Sequence, residues 1–224
     1  HLNELNQLKA RERIPQIRPN NVQYNDLYNI PTLEQIIELA NQHYQKTGKI
    51  IGLYIETKHP TYFQQQNLAL ENSLLMSLAK HKYTREIAPI YLQSFEISNL
   101  KAMREQLDQL NSIKQIKIIQ LYGGKSTQPA DAATQKLTIN YGDMATVAGL
   151  KEVAKYADGV GPSKTYILPN TQAATVTSFV KDAHAVGLKV HPYTLRPENE
   201  FLPDYLDCGV NPAERCETGA IKEY

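Results

Sequence analysis

Five mostly apolar runs, starting at residues 50, 90, 116, 158 and 188, are each followed by polar or helix-spaced sequence, and this alternation constrains the chain most. Ile50–Lys58 (IIGLYIETK) is rich in β-branched residues and turns polar at its end, as a buried parallel strand does on nearing a functional surface. Pro60 stops it. The others are Ile90–Phe95 (IYLQSF), Ile116–Tyr122 (IKIIQLY), a short run around Asp158–Gly161, and Leu188–Leu195 (LKVHPYTL). Between them, helical spacing predicts helices over Gln65–Lys80 (Leu68, Leu75, Met76 and Leu78), Ser98–Leu110 with Ser98 as cap, Met144–Tyr156 (Val147, Leu150, Val153 and Ala154), and Thr171–Val186. Gly123–Asn140 reads as a long polar loop. Ahead of the first strand stand a helix over Leu33–Tyr44, opened by Pro31 and Thr32, and a helical remnant over Leu2–Leu8.

A strand followed each time by a helix means parallel strands joined by crossovers. The strand starts lie 26 to 42 residues apart, the interval a (β/α) barrel requires, but they number five and not eight. The expected fold is therefore α/β, an incomplete (β/α) barrel forming a single domain over residues 1–224. The Pro-, Glu- and Gly-rich tail offers at most a weak strand near Cys208–Val210.

With 24 basic against 23 acidic residues, the net charge of +1 gives no global field toward nucleic acid or an anionic membrane. Any bound anion must be held by a local site. No apolar run approaches the ~20 residues of a membrane span. The opening HLNELNQLKARER is polar, carries no signal peptide and has no Met, so it reads as the middle of something and leaves the compartment open. Cys208 and Cys216 fit no zinc spacing and read as two free thiols, with a disulfide as the alternative.

In a barrel, chemistry sits where strands end. The first strand ends in Glu56 and Lys58, which the two-residue period places on one face. A carboxylate beside an ammonium suits a hard cation and an anionic oxygen. It equally suits a structural ion pair at the barrel mouth. The other strand ends offer Gln93, Ser94 and Phe95, then Gln120 and Tyr122, and finally His191, Tyr193 and Arg196.

IIGLYIETKHPTYF resembles the strand of glycerophosphodiester phosphodiesterases that ends in a Glu-x-Lys pair before a Pro-aromatic turn. YLQSFEISNLKAM, IIQLY, VAKYADGVGPSK and KVHPYTLRPENEFLP resemble four further segments in that family's order. The likeness runs from Leu2 to about Pro203 and is to the longer, often exported branch. It implies a TIM-type barrel that hydrolyses glycerophosphodiesters to glycerol 3-phosphate and an alcohol. It also implies a divalent cation, Ca2+ or Mg2+, on three carboxylates and a histidine pair as acid and base. By the same matching Glu56 is the third carboxylate ligand and Lys58 lies on the phosphate. Gln93, Phe95, Gln120, Tyr193 and Arg196 become substrate-pocket positions.

The sequence departs from that pattern. It contains no His-Arg-Gly, no Glu-x-Asp pair and no His-Asp motif, so the family's catalytic histidines and two of its three carboxylates are absent and the cation site is incomplete. The resemblance thus implies that the first two strands and the last helix or strand are missing or altered. NPAERCETG stands where a final apolar strand belongs. Among six histidines only His59 and His191 fall near strand ends, where packing is the expected role. Two readings follow: an incomplete form of the phosphodiesterase, or a non-catalytic barrel remnant that binds anionic glycerophosphates or a protein partner. Open barrel edges predict self-association.

Overall fold

The computed structural model describes residues 1–110, 112–171 and 175–224. They group into two compact units: His1–Ile36 with Thr194–Tyr224 and a short piece from Asn170, and Ile37–Pro169 with Thr175–Tyr193.

The second unit carries the sheet. Its strands are β1 (Leu53–Glu56), β2 (Ile90–Ser94), β3 (Lys117–Tyr122), β4 (Gly159–Pro162) and β5 (Lys189–Val190), all parallel and ordered β1-β2-β3-β4-β5. All five expected strands are present, though the last covers only Lys189–Val190 of the expected Leu188–Leu195, and the fold is an α/β arrangement compatible with an incomplete TIM barrel. β3 is buried from Ile118 through Tyr122, the signature of a central strand covered on both faces. Gly159 and Gly161 make room beside it: a Cβ on Gly161 would lie 2.6 Å from Leu121 Cδ2, so only hydrogen lets β3 side chains pack across β4.

The sheet is curled. Tyr54 on the first strand and His191, just past the last, meet at 2.9 Å between the phenol oxygen and Nδ1. In a flat sheet these strands would stand about 19 Å apart, four steps of ~4.8 Å. Barrel-like curvature brings them together.

Helices cover the sheet. α2 (Leu33–Thr47) begins with a reciprocal cap, the Gln35 N–H on Thr32 Oγ1 and the Thr32 N–H on Gln35 Oε1, and buries Ile37 and Ala40. α3 (Pro60–Gln65) and α4 (Glu71–Lys80) replace the single helix expected over residues 65–80. Leu75 and Leu78 are buried as predicted, but Leu68 precedes α4 and Met76 points outward, both exposed. The apolar spacing was right for one face and over-extended by a turn.

α5 (Ile97–Gln109) buries Leu100, Met103 and Leu107. Its N-cap is Glu96, not Ser98, whose N–H donates to Asp131. The polar loop contains α6 (Ala130–Thr134), and the helix expected over 144–156 is broken into α7 (Tyr141–Met144) and α8 (Val147–Val153), with Val147 exposed. Asn140 and Thr146 cap the two pieces, which is why a break falls there. α9 (Phe179–Ala185) is shorter than the predicted Thr171–Val186; positions 172–174 of that prediction lie outside the described residues.

Asp158, in the ADGVGP run, ties these layers. It accepts the Ile118 N–H at 2.8 Å, pairs with Arg104 of α5, and lies 3.2 Å from Lys117 Nζ. Burial alone would raise its pKa; the Ile118 hydrogen bond and the two cations outweigh that and hold it below the usual carboxylate value.

In the first unit are α1 (Leu2–Leu5), the 3-10 turn Pro19–Tyr24 and α10 (Glu217–Glu223). The strand expected near Cys208–Val210 is absent; that stretch is irregular and instead wraps around Asn199. Cys208 and Cys216 form a disulfide, correcting the expectation of free thiols. Spacing alone does not fix their Cα atoms 5.4 Å apart, within bridging range; the Asn199-centred turn does.

Candidate functional site

The C-terminal ends of β1, β2 and β3 surround a cavity of about 350 Å³. Its wall includes Glu56, Lys58, His59, Phe95, Glu96 and Tyr141. Three loops build it. β1 ends at Glu56, and Pro60 opens α3 four residues later, so Lys58 and His59 are turned over the mouth. His59 holds a left-handed φ of 51°, uncommon for a residue with a Cβ. The turn is fastened from β2: Glu96, buried at the strand end, accepts both the N–H (2.9 Å) and the hydroxyl of Thr61.

Beneath it runs a buried polar chain. Ser94 Oγ donates to the Thr57 carbonyl, Thr57 Oγ1 to Asn99 (2.7 Å), and Asn99 Nδ2 to Glu71 (2.5 Å), which also accepts from Gln64. A satisfied network of this kind fixes the rotamers and backbone of the strand ends.

The predicted positions divide into three groups. Glu56, Lys58 and Phe95 line the cavity directly. Glu56 is half-buried and Lys58 is 71% exposed, their charged atoms 3.6 Å apart. Gln93 and Tyr193 flank it. Gln93 is Glu56's cross-strand neighbour, and the Tyr193 ring lies edge-on to Phe95 at 6.0 Å. Burial, and then the Glu56 charge, push the Tyr193 phenol up. Gln120 and Arg196 are not among the cavity's lining residues. Gln120 is wholly buried, its amide donating to carbonyls at the ends of β2 and β3 and accepting from Tyr156 at 2.7 Å. Arg196 belongs to the other unit and stacks over Phe201 at 4.5 Å.

Of the two histidines singled out, His59 is at the mouth and His191 lies with Tyr54 and Tyr91. Sequence reasoning missed Glu96, Thr57 and Tyr141. Glu96 could have been found, since it follows Phe95 directly at a strand end. Tyr141 could not, because it opens α7 beyond the long loop and reaches the site by docking its hydroxyl on the Phe95 carbonyl at 3.0 Å.

A hard cation takes six or more oxygen ligands for Ca2+, or octahedral oxygens and water for Mg2+. Among the described residues no three His, Cys, Asp or Glu side chains gather closely enough to hold a metal ion. Glu56 offers one carboxylate, and its nearest charged neighbour is an ammonium group. These residues alone do not fit a complete cation site. They do form a mouth with one exposed cation, one half-buried carboxylate and an aromatic wall.

Parallel strands whose C-terminal ends open on such a mouth are the arrangement of barrel enzymes. The chain belongs to the glycerophosphoryl diester phosphodiesterase family, whose sequence model matches residues 1–211. A glycerophosphodiester phosphodiesterase of Haemophilus influenzae is 32% identical over 199 residues, covering 85% of this chain and 54% of that protein. One of Treponema pallidum is 28% identical over 185 residues (80% and 51%), and one of Arabidopsis thaliana 29% over 227 (94% and 55%). The chain thus spans about half the length of the curated relatives it matches. Its family is one of phosphoric diester hydrolases, which generally depend on a divalent cation. No helix among the described residues is long and apolar enough to cross a membrane.

Proposed function

We propose that this chain carries the substrate-binding part of a protein that hydrolyses glycerophosphodiesters to glycerol 3-phosphate and an alcohol, and that the cavity above β1 to β3 receives the substrate. The observation that carries this is Lys58, an exposed ammonium at the end of β1 inside a cavity walled by Phe95 and Tyr141. Its charge takes a phosphate oxygen, and the ring faces pack the glycerol or alcohol carbons. Glu56 would supply one carboxylate toward the divalent cation that this family uses, and Gln93 and Tyr193 would line the approach. Glu96 holds the Lys58–His59 turn in place through Thr61.

The second reading, binding of anionic glycerophosphates without turnover, is favoured by the lack of a three-donor cation cluster among the described residues. Both readings require the same anion contact. Titration of the 224-residue chain with glycerol 3-phosphate, followed by NMR, tests it. Resonances of Lys58, His59 and Phe95 should move saturably, and Lys58→Ala should weaken binding about tenfold, the scale of one charged hydrogen bond. Equal affinity in Lys58→Ala would refute the assignment.

A further inference from the structure

A second cavity, about 460 Å³, lies within the first unit and is lined by Ile17, Arg18, Asn20, Pro197, Glu198 and Arg215, among others. Its floor is a charged group unusual for so small a unit. The Glu198 side chain is only 5% exposed. One carboxylate oxygen accepts from Arg18 Nε at 2.7 Å, while the other, Oε2, is buried with no hydrogen-bond partner. Buried carboxylate oxygens are nearly always paired, so an orphaned one in a cavity wall marks a place for a donor.

The floor is rigid. Glu198 pairs with Arg215 as an antiparallel bridge, and Cys216 N–H donates to the Pro197 carbonyl at 2.7 Å. Asn199 binds the carbonyls of Gly209 and Asn211 and the N–H of Cys208, and the Cys208–Cys216 disulfide closes the turn. Arg215 is exposed, and its charge acts on Glu198. The Arg18 hydrogen bond, with the Arg18 and Arg215 charges, holds Glu198 below the usual carboxylate pKa, so it is ionised and can only accept.

We infer that this cavity is a binding site for a small hydroxycarboxylate, its carboxylate on the Arg18 and Arg215 guanidiniums and its hydroxyl donating to Glu198 Oε2. The wall itself carries two positive groups and one negative, with the Glu12 carboxylate acting on Arg18 from beside it, so the cavity suits a monoanion better than a phosphate monoester with its second negative charge. Planar guanidiniums match a planar carboxylate. The orphaned oxygen demands a donor next to that carboxylate, which a simple fatty acid lacks. The volume falls in the range of small-molecule sites. None of these residues takes part in the cavity above β1 to β3.

The test is an NMR titration of the full chain with lactate and with propionate, which differ by the hydroxyl. Lactate should move the Arg18, Asn20 and Arg215 resonances saturably and bind roughly tenfold more tightly than propionate, the scale of a hydrogen bond to a charged group. Arg215→Gln, at an exposed position, should weaken lactate binding, and Glu198→Gln should erase the preference for lactate. If Glu198→Gln does not fold, the lactate-to-propionate ratio of the unaltered chain and Arg215→Gln still decide. Equal binding of the two acids, no response near Arg215, or tighter binding of inorganic phosphate than of lactate would each overturn the inference.

Discussion

The Tyr54 hydroxyl and the His191 ring lie in hydrogen-bond contact at 2.9 Å, although their strands are the two outermost of the sheet. The pair rests beside Tyr91, whose ring stacks on Tyr54 at 5.3 Å. Burial, and then the charge of Lys189, lower the His191 pKa from its ordinary 6.5, and burial raises that of the Tyr54 phenol.

The burial of His191 gives stability a definite pH dependence. His191 has a lower pKa folded than unfolded, so the unfolded chain binds the extra proton first as pH falls. Its contribution is complete above 6.5 and is lost as pH drops from there through the folded value. Urea midpoints should fall between about pH 7 and pH 5, and His191→Gln should flatten that dependence. The depressed carboxylates of Asp158 and Glu198 act lower, below their ordinary values of 3.8 and 4.5. Parallel pH profiles for the two proteins would rule out His191 as the source.

The sheet edges predict association. β1 pairs only with β2, and β5 only with β4, among the described residues. Tyr83 covers part of the first edge, its hydroxyl binding both the N–H and the carbonyl of Ile51, but Tyr54 remains 43% exposed there. Open edges recruit further strands. At micromolar concentration, light scattering should give a mass above the 25.3 kDa of one chain. A monomer with a cooperative melt above ~60 °C would contradict this.

The chain as it stands should release no glycerol 3-phosphate from glycerophosphocholine above background with calcium or magnesium. The sequence lacks the histidine motifs, and acid–base catalysis alone contributes about 10² to 10⁴-fold. Metal-dependent turnover that survives purification would sink this expectation and point to His59 at the cavity mouth.

Glu56→Gln separates the ion pair from the cation ligand. Without metal, removing a carboxylate 3.6 Å from Lys58 frees the ammonium and lessens repulsion of phosphate. Affinity for glycerol 3-phosphate should rise about two- to fivefold, as suits an exposed pair. Millimolar calcium should strengthen binding to the unaltered chain but not to the variant. The same calcium response in both would make Glu56 only the partner of Lys58.

Reduction of Cys208–Cys216 should destabilise the first unit. The bridge spans eight positions, a short loop whose closure contributes about 2 to 3 kcal/mol. Hydrogen exchange at Asn199 and Cys208 should accelerate under reductant while β3 amides stay protected. Unchanged exchange at Asn199 would show that its side-chain bonds hold the turn without the bridge.

The sequence by itself determined the five strands, their parallel order and the Glu56–Lys58 mouth. Runs such as Ile116–Tyr122 are apolar on both faces, and local period and crossover rules leave little choice for them. It also carried the family likeness. It did not determine that Leu68 and Met76 face outward, because apolar spacing marks a helix face but not where packing against a neighbour ends. Nor did it determine that Gln120 spends its amide on strand-end carbonyls, that Glu96 clasps Thr61, or that Glu198 keeps one oxygen unpaired. Each of these depends on partners 25 to 180 residues away. Whether a polar side chain serves the fold or faces a cavity is decided by which distant groups the tertiary structure brings within 3 Å, and no local pattern encodes that distance.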